Sequence, residues 1–184
     1  MATEERLQRL CAERIRSYLD ANGYDDIQTG EGVRVIKDCT FVPDDSGFTL
    51  YLGHAEADVA LYKPVSELTE EIQEGEQLKL YQNASNELRI PIAILEIKNG
   101  VLTTDAIRSR SIIAREMNEI FPFLGYYFVG DETTPTPRKM YRAGKHFDSF
   151  FLTDEVAGKE WIRDQIIDVG IEPHLQKLES LDVI

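Results

Sequence analysis

The sequence predicts an α/β protein: a mixed β-sheet flanked by helices, in one domain spanning residues 1–184. Three observations predict it. A strand-like stretch, Ile90 to Ile97, reads as buried and is followed by helical periodicity and then by a compact aromatic run, Gly125 to Val129. That is a strand–helix–strand unit, whose strands are parallel and joined by a right-handed crossover. In front of it stand an amphipathic helix and three short strand-like stretches that read as an antiparallel run. A hydrophobic share of 42% with 9% aromatics is a globular core rather than a disordered acidic tail, despite a formal net charge of −13.

The elements follow in order. Thr3 to Asp20 reads as a helix: Thr3 is an N-cap candidate, Glu4 and Glu5 complement the dipole, and Leu7, Leu10, Cys11, Ile15, Tyr18 and Leu19 recur at helical spacing. Asn22-Gly23 stops it. Gly32–Phe41, Phe48–Leu52 and Ala57–Tyr62 read as strands, separated by the turn Val42 to Gly47 and by the link Gly53 to Glu56. Residues 64–77 are acidic and aperiodic, an exposed insertion with a helical turn at Ser66. The strand Ile90–Ile97 is closed by Asn99-Gly100, and Thr104 caps a helix from Asp105 to about Phe121. Asp131 to Pro137 reads as a loop and Phe147 to Leu152 as the last strand. Residues 154–184 read as C-terminal helices, one from Asp154 to Val169 and a short one from Pro173. No repeat or linker divides the chain.

Several classes are excluded by composition. The longest apolar run, Ile92 to Leu95, is far too short to cross a bilayer, and no basic, then apolar, leader opens the chain. No membrane partner and a cytoplasmic location are therefore expected. Cys11 and Cys39 form no CxxC pair, and His54, His146 and His174 are scattered, which argues against a zinc site or disulfide scaffold. Arginine outnumbers lysine 12 to 8, and acids crowd turns such as Asp44-Asp45. Adaptation to a high-salt cytoplasm produces this pattern, and an ordinary acidic soluble protein fits it equally well. In strong salt the Debye length falls to about 3 Å at 1 M, so net charge stops selecting partners.

The residues that carry chemistry are Asp58, Glu96 and Lys98. Residues two apart on a strand share a face, so Glu96 and Lys98 project together from an otherwise apolar strand. Charges there must be paired or coordinated, because desolvating them alone costs several kcal/mol. Asp58 lies in an equally apolar setting, Ala57-Asp58-Val59-Ala60-Leu61. On neighbouring strands Asp58 and Glu96 converge on one divalent cation, with the Ile97 carbonyl as a further ligand. Mg²⁺ suits this set: it takes oxygen ligands and commonly uses one or two carboxylates plus a substrate phosphate. Lys98 would orient a water or stabilise developing charge. The alternative is a structural ion pair, Glu96–Lys98 or Asp58–Lys98, at a sheet edge.

An Asp near a strand end, Glu96-Ile97-Lys98 on the next strand, then a helix and another strand, resembles the metal-binding core of the PD-(D/E)XK nuclease superfamily. The stretches Ala57 to Leu61, Pro91 to Asn99 and Phe121-Pro122 are most similar to the N-terminal nuclease domain of type I restriction enzyme motor subunits. The resemblance covers about residues 50–130. It implies a restriction-endonuclease-like fold and a Mg²⁺-dependent endonuclease, with Mn²⁺ able to substitute, acting on DNA in restriction-modification. Catalysis would fall to Asp58, Glu96 and Lys98, and Glu56 is an additional candidate ligand. Some members also use a Glu on the first helix, where Glu4, Glu5 and Glu13 are all weak candidates. The usual proline before the Asp is Ala57 here, and Ile113 and Met117 stand where a Gln-x-x-x-Tyr pair is expected. His54 reads as a loop histidine rather than a base. With no helicase motor, translocation coupled to cutting is not expected of this chain alone.

Charge distribution offers a separate argument. Between Lys98 and Lys145 eight basic residues face five acidic ones, a net +3 against −16 for the remainder. Arg108, Arg110, Arg115, Arg138, Lys139 and Arg142 are the candidate phosphate contacts, and Tyr141 would stack or pack. The expected partner is nucleic acid, double-stranded DNA before RNA, with a homodimer as one way to cut both strands. A non-catalytic interaction module retaining the fold, and a plain α/β domain with a structural ion pair, stay open beside the nuclease.

Overall fold

The computed structural model describes residues 4–45, 47–65, 78–81, 88–98, 103–131, 136–153 and 159–184. Helix α1, Glu4–Asn22, buries Leu7, Cys11, Ala12, Ile15 and Leu19, one stripe at helical spacing. Gly23 ends it at φ +77, and the Tyr24 N–H returns to the Leu19 carbonyl at 3.1 Å. That six-to-one closure needs a left-handed residue, which glycine adopts without a Cβ penalty.

The strands are β1 (Gln28–Asp44), β2 (Gly47–Val65), β3 (Leu78–Tyr81), β4 (Leu88–Lys98), β5 (Gly125–Asp131) and β6 (Ser149–Thr153). They form one sheet in the order β1-β2-β4-β5-β6, with β3 also on β2. β1 and β4 run antiparallel to β2, whereas β5 and β6 continue parallel from β4 and β3 lies parallel to β2. Helix α2, Thr104–Ile120, is the crossover between β4 and β5. Helix α3, Pro137–Ala143, lies between β5 and β6. After β6 the chain runs through α4 (Lys159–Trp161), a π-helix (Ile162–Ile171) and α5 (Glu172–Ser180).

The sheet therefore divides two cores. On one face Val59, Leu61, Leu95, Ile97, Tyr127 and Val129 meet α1, the π-helix and α5. On the other Ala60, Ile94, Tyr126 and Phe128 meet Ile107, Ala114 and Met117 of α2 and Met140 of α3. β4 is covered on both faces, which is why its sequence is continuously apolar rather than alternating. The fold is α/β, a mixed sheet flanked by helices.

Several boundaries differ from the sequence expectation. The two strands expected at 48–52 and 57–62 are one, because Gly53, His54 and Ala55 stay paired to Asp38, Ile36 and Val35 across a register shift. The Asp38 carboxylate lies over Gly53, and a Cβ there would make that side chain turn aside. His54 thus lies on a strand, not in a loop. Thr103, not Thr104, caps α2: its side chain accepts the Ala106 N–H at 3.2 Å. The run Arg138 to Arg142 is helical, with Pro137 in the first turn, where a missing N–H costs nothing.

The short helix expected from Pro173 is α5, which begins at Glu172 with Pro173 in its first turn and follows the π-helix without a break. The π-register reaches Glu172, whose N–H bonds the Ile167 carbonyl, and the helix carries on through the proline. The wider turn brings Gly170 against Phe151, and its carbonyl accepts the Tyr127 hydroxyl at 3.2 Å. Thr3, the Ser66 turn, most of the 64–77 insertion, Asn99-Gly100 and the start of the helix expected at Asp154 lie outside the described residues.

Candidate functional site

The site lies where β4 ends. Backbone pairing of β2 with β4 is regular from Leu61↔Ala93 to Val59↔Leu95, so Asp58 and Glu96 are the next residues across from each other. There the Asp58 side chain takes over: its Oδ2 accepts the Ile97 N–H at 2.8 Å. Since the N–H and C=O of one strand residue project to the same edge, the Ile97 carbonyl faces the Asp58 side as well.

Glu96 is only 4% exposed, and both its oxygens are engaged. Tyr126 on β5, in register with Ile94 and so two residues short of Glu96 on the same face, donates its hydroxyl to Oε1 at 2.7 Å. Arg110 on α2 places Nη1 2.7 Å from Oε2. Ile107, one turn earlier on α2, is fully buried against the sheet, which directs Arg110 along the same flank. Lys98 is half exposed and pairs with Glu4 Oε2 at 3.1 Å, across from the start of α1. Glu96, Lys98, Ser109, Arg110 and Phe128 line a recess of about 150 Å³.

Burial raises the pKa of Asp58; the Ile97 N–H and Arg110 oppose that rise and Glu4 adds to it. Burial likewise raises Glu96, against Arg110 and the Tyr126 hydroxyl, while Asp58 and Glu4 push it higher. Two neighbouring carboxylates that both resist ionisation are the condition a divalent cation relieves. The donors are all oxygens, which fits Mg²⁺ and does not fit zinc. Asp58, Glu96 and the Ile97 carbonyl are the residues that would hold it. Among the described residues no group of three or more His, Cys, Asp or Glu is assembled closely enough to hold a metal ion.

Of the expected site residues, Asp58, Glu96, Ile97 and Lys98 are together. Glu56 is exposed, beside Gly32 of β1. Neither expected ion pair forms, because Arg110 holds Glu96 and Glu4 holds Lys98. Arg110, expected to face phosphate, is instead the counter-charge of Glu96. Arg108 and Arg115 sit on α2 in exposed pairs with Asp105 and Glu119, at 3.1 and 3.7 Å. Arg138, Lys139 and Arg142 are exposed on α3, which packs against α2 on the same face of the sheet. Tyr141 sets its ring edge-on to Phe150 at 5.1 Å and stays more than half exposed.

One residue of the site, Tyr126, escapes the sequence reading. Glu4 is there one of three first-helix candidates, and the path of α1 across the sheet, which no local pattern encodes, is what singles it out by pairing it with Lys98. Tyr126 carries a usable signal: a tyrosine in a buried strand needs a partner for its hydroxyl, and parallel pairing brings that strand beside Glu96. No family model and no curated protein matches the chain. Among the described residues no helix is long and apolar enough to cross a membrane.

Proposed function

We propose that the chain is a Mg²⁺-dependent endonuclease hydrolysing DNA phosphodiester bonds, of restriction-endonuclease type. The observation that carries the reading is the hydrogen bond from Ile97 to Asp58, which brings a half-buried carboxylate beside the buried Glu96, next to Lys98 on the same strand as Glu96. When bound, Mg²⁺ would polarise the phosphoryl oxygen and lower the pKa of a ligated water. Asp58 and Glu96 would hold the cation, and the sheet fixes where those two carboxylates stand. Tyr126 fixes the Glu96 rotamer. Lys98, at the open end of β4, stabilises negative charge as it develops on the phosphate. The cations of α2 and α3 lie on the same face and supply backbone contacts without base reading.

A second reading is favoured by one observation: two of the three charges of the site are already paired within the chain, Glu96 by Arg110 and Lys98 by Glu4. On that reading the fold is a non-catalytic nucleic-acid or protein-interaction module with a structural ion network. Incubation of the protein with plasmid DNA and with RNA, with Mg²⁺, Mn²⁺ or chelator and over a range of salt, separates the two. Metal-dependent nicking or linearisation of the plasmid supports the nuclease. Retained binding without cutting in every condition supports the module.

A further inference from the structure

We propose that Arg110 is an exchangeable counter-charge. It holds Glu96 while the site is free of substrate, and passes to a substrate phosphate when the polyanion docks, releasing a Glu96 oxygen for the divalent cation. The inference rests on the nuclease reading above and adds the order of events at that site.

The two groups that hold Glu96 are unequal. Tyr126 is 1% exposed within the sheet and carries no charge, so it stays with Glu96 throughout. Arg110 is the charged partner, its side chain 44% exposed on α2, and it engages Glu96 through Nη1. A guanidinium nitrogen 2.7 Å from Oε2 takes one lone pair of that oxygen and sets a positive charge beside the place a metal ion would occupy at about 2.0–2.1 Å. Arginine and cation therefore compete at that oxygen.

Arg110 can leave because its side chain is long and half in water, and it has somewhere to go. Its planar fork matches a phosphate as well as a carboxylate. It shares its recess with Lys98 and Ser109, and α3 sets Arg138, Lys139 and Arg142 on the same face of the sheet. Glu96 cannot stand buried and charged without a counter-charge, so arginine departure and cation arrival are one coupled exchange. A chain without substrate would thereby hold its metal weakly.

The test is Mn²⁺ binding without nucleic acid, read from the electron paramagnetic resonance of free Mn²⁺. The Arg110→Gln protein is expected to bind at least tenfold more tightly than wild type. Arg110→Lys, which keeps the charge, should remain near wild type, and Asp58→Ala should lose binding. Gln is a good helix former at this half-exposed position. A second arm needs neither that variant nor metal. In chelator, Glu96→Gln frees Arg110 and should tighten binding of a fluorescent 20-base-pair duplex several-fold by anisotropy, a gain absent from Glu96→Gln/Arg110→Gln. Equal Mn²⁺ affinity of wild type and Arg110→Gln, with Asp58→Ala still impaired, overturns the exchange and leaves the metal site standing. An unchanged duplex affinity in Glu96→Gln also overturns the exchange. Failure of both wild type and Arg110→Gln to bind Mn²⁺ overturns the exchange and the metal reading together.

Discussion

The Asp58 carboxylate accepts the Ile97 N–H at 2.8 Å, one residue past the last backbone pair on β2 and two past it on β4. A side chain thus finishes a ladder that the main chain leaves open. The bond ties the position of Asp58 to the end of the strand that carries Glu96 and Lys98. Glu96, the residue opposite Asp58 in the continued register, is the most buried carboxylate of the site.

That placement has a cost in stability which depends on pH. Burial raises the pKa of both Asp58 and Glu96 in the folded protein. Between the unfolded and folded values the native state binds more protons than the unfolded chain, so stability falls as pH rises through that window and stays low above it. Asp58→Asn keeps an acceptor for Ile97 and removes the charge. At pH 7 to 8 it should stabilise the protein by about 1 kcal/mol, a Tm gain of about 2–4 °C. Thermal melts across pH check this: the gain should shrink as pH falls through the raised value of Asp58 toward the ordinary aspartate value, and vanish below it.

Tyr126→Phe removes a buried hydroxyl from an ionised acceptor. Hydrogen bonds to charged groups are worth about 1.5–3 kcal/mol, and urea denaturation should report a destabilisation in that range. Leu95→Ala, at a fully buried position on the same β4, should cost about 2–5 kcal/mol through its cavity alone. Only Tyr126→Phe should also change the pH dependence of stability, because only it touches Glu96.

How far the sequence reveals this arrangement differs by element. The β4–α2–β5 unit is legible because burial on both faces writes a continuous apolar strand, and a crossover helix must follow it. Asp58, Glu96 and Lys98 are legible for the same reason: charges stand out against that background. The extent of β2 is not, since Gly53-His54 looks like a break until β1 pairs through it. The partners of the site are not legible either. Arg110 reads as one more cation on an exposed helix, and Glu4 as a helix-start acid. Their roles come from packing between elements 14 and 94 residues apart in sequence.

The cations of α3 should act on affinity and not on chemistry. Replacing Arg138, Lys139 and Arg142 together by Gln should weaken binding of duplexes of any sequence. It should also flatten the dependence of log affinity on log salt by about 1 for each phosphate no longer neutralised. Fluorescence anisotropy at several salt concentrations measures both. An unchanged slope would remove α3 from the interface.

Single-turnover hydrolysis of an end-labelled duplex, with protein in excess and Mg²⁺ saturating, tests the central claim most directly. Wild type should cut, and Asp58→Ala and Lys98→Ala should each fall at least 100-fold in rate while still binding the duplex, as expected when an electrostatic group acting in the transition state is removed. Equal rates for wild type and both variants would contradict the assignment of catalysis to this site.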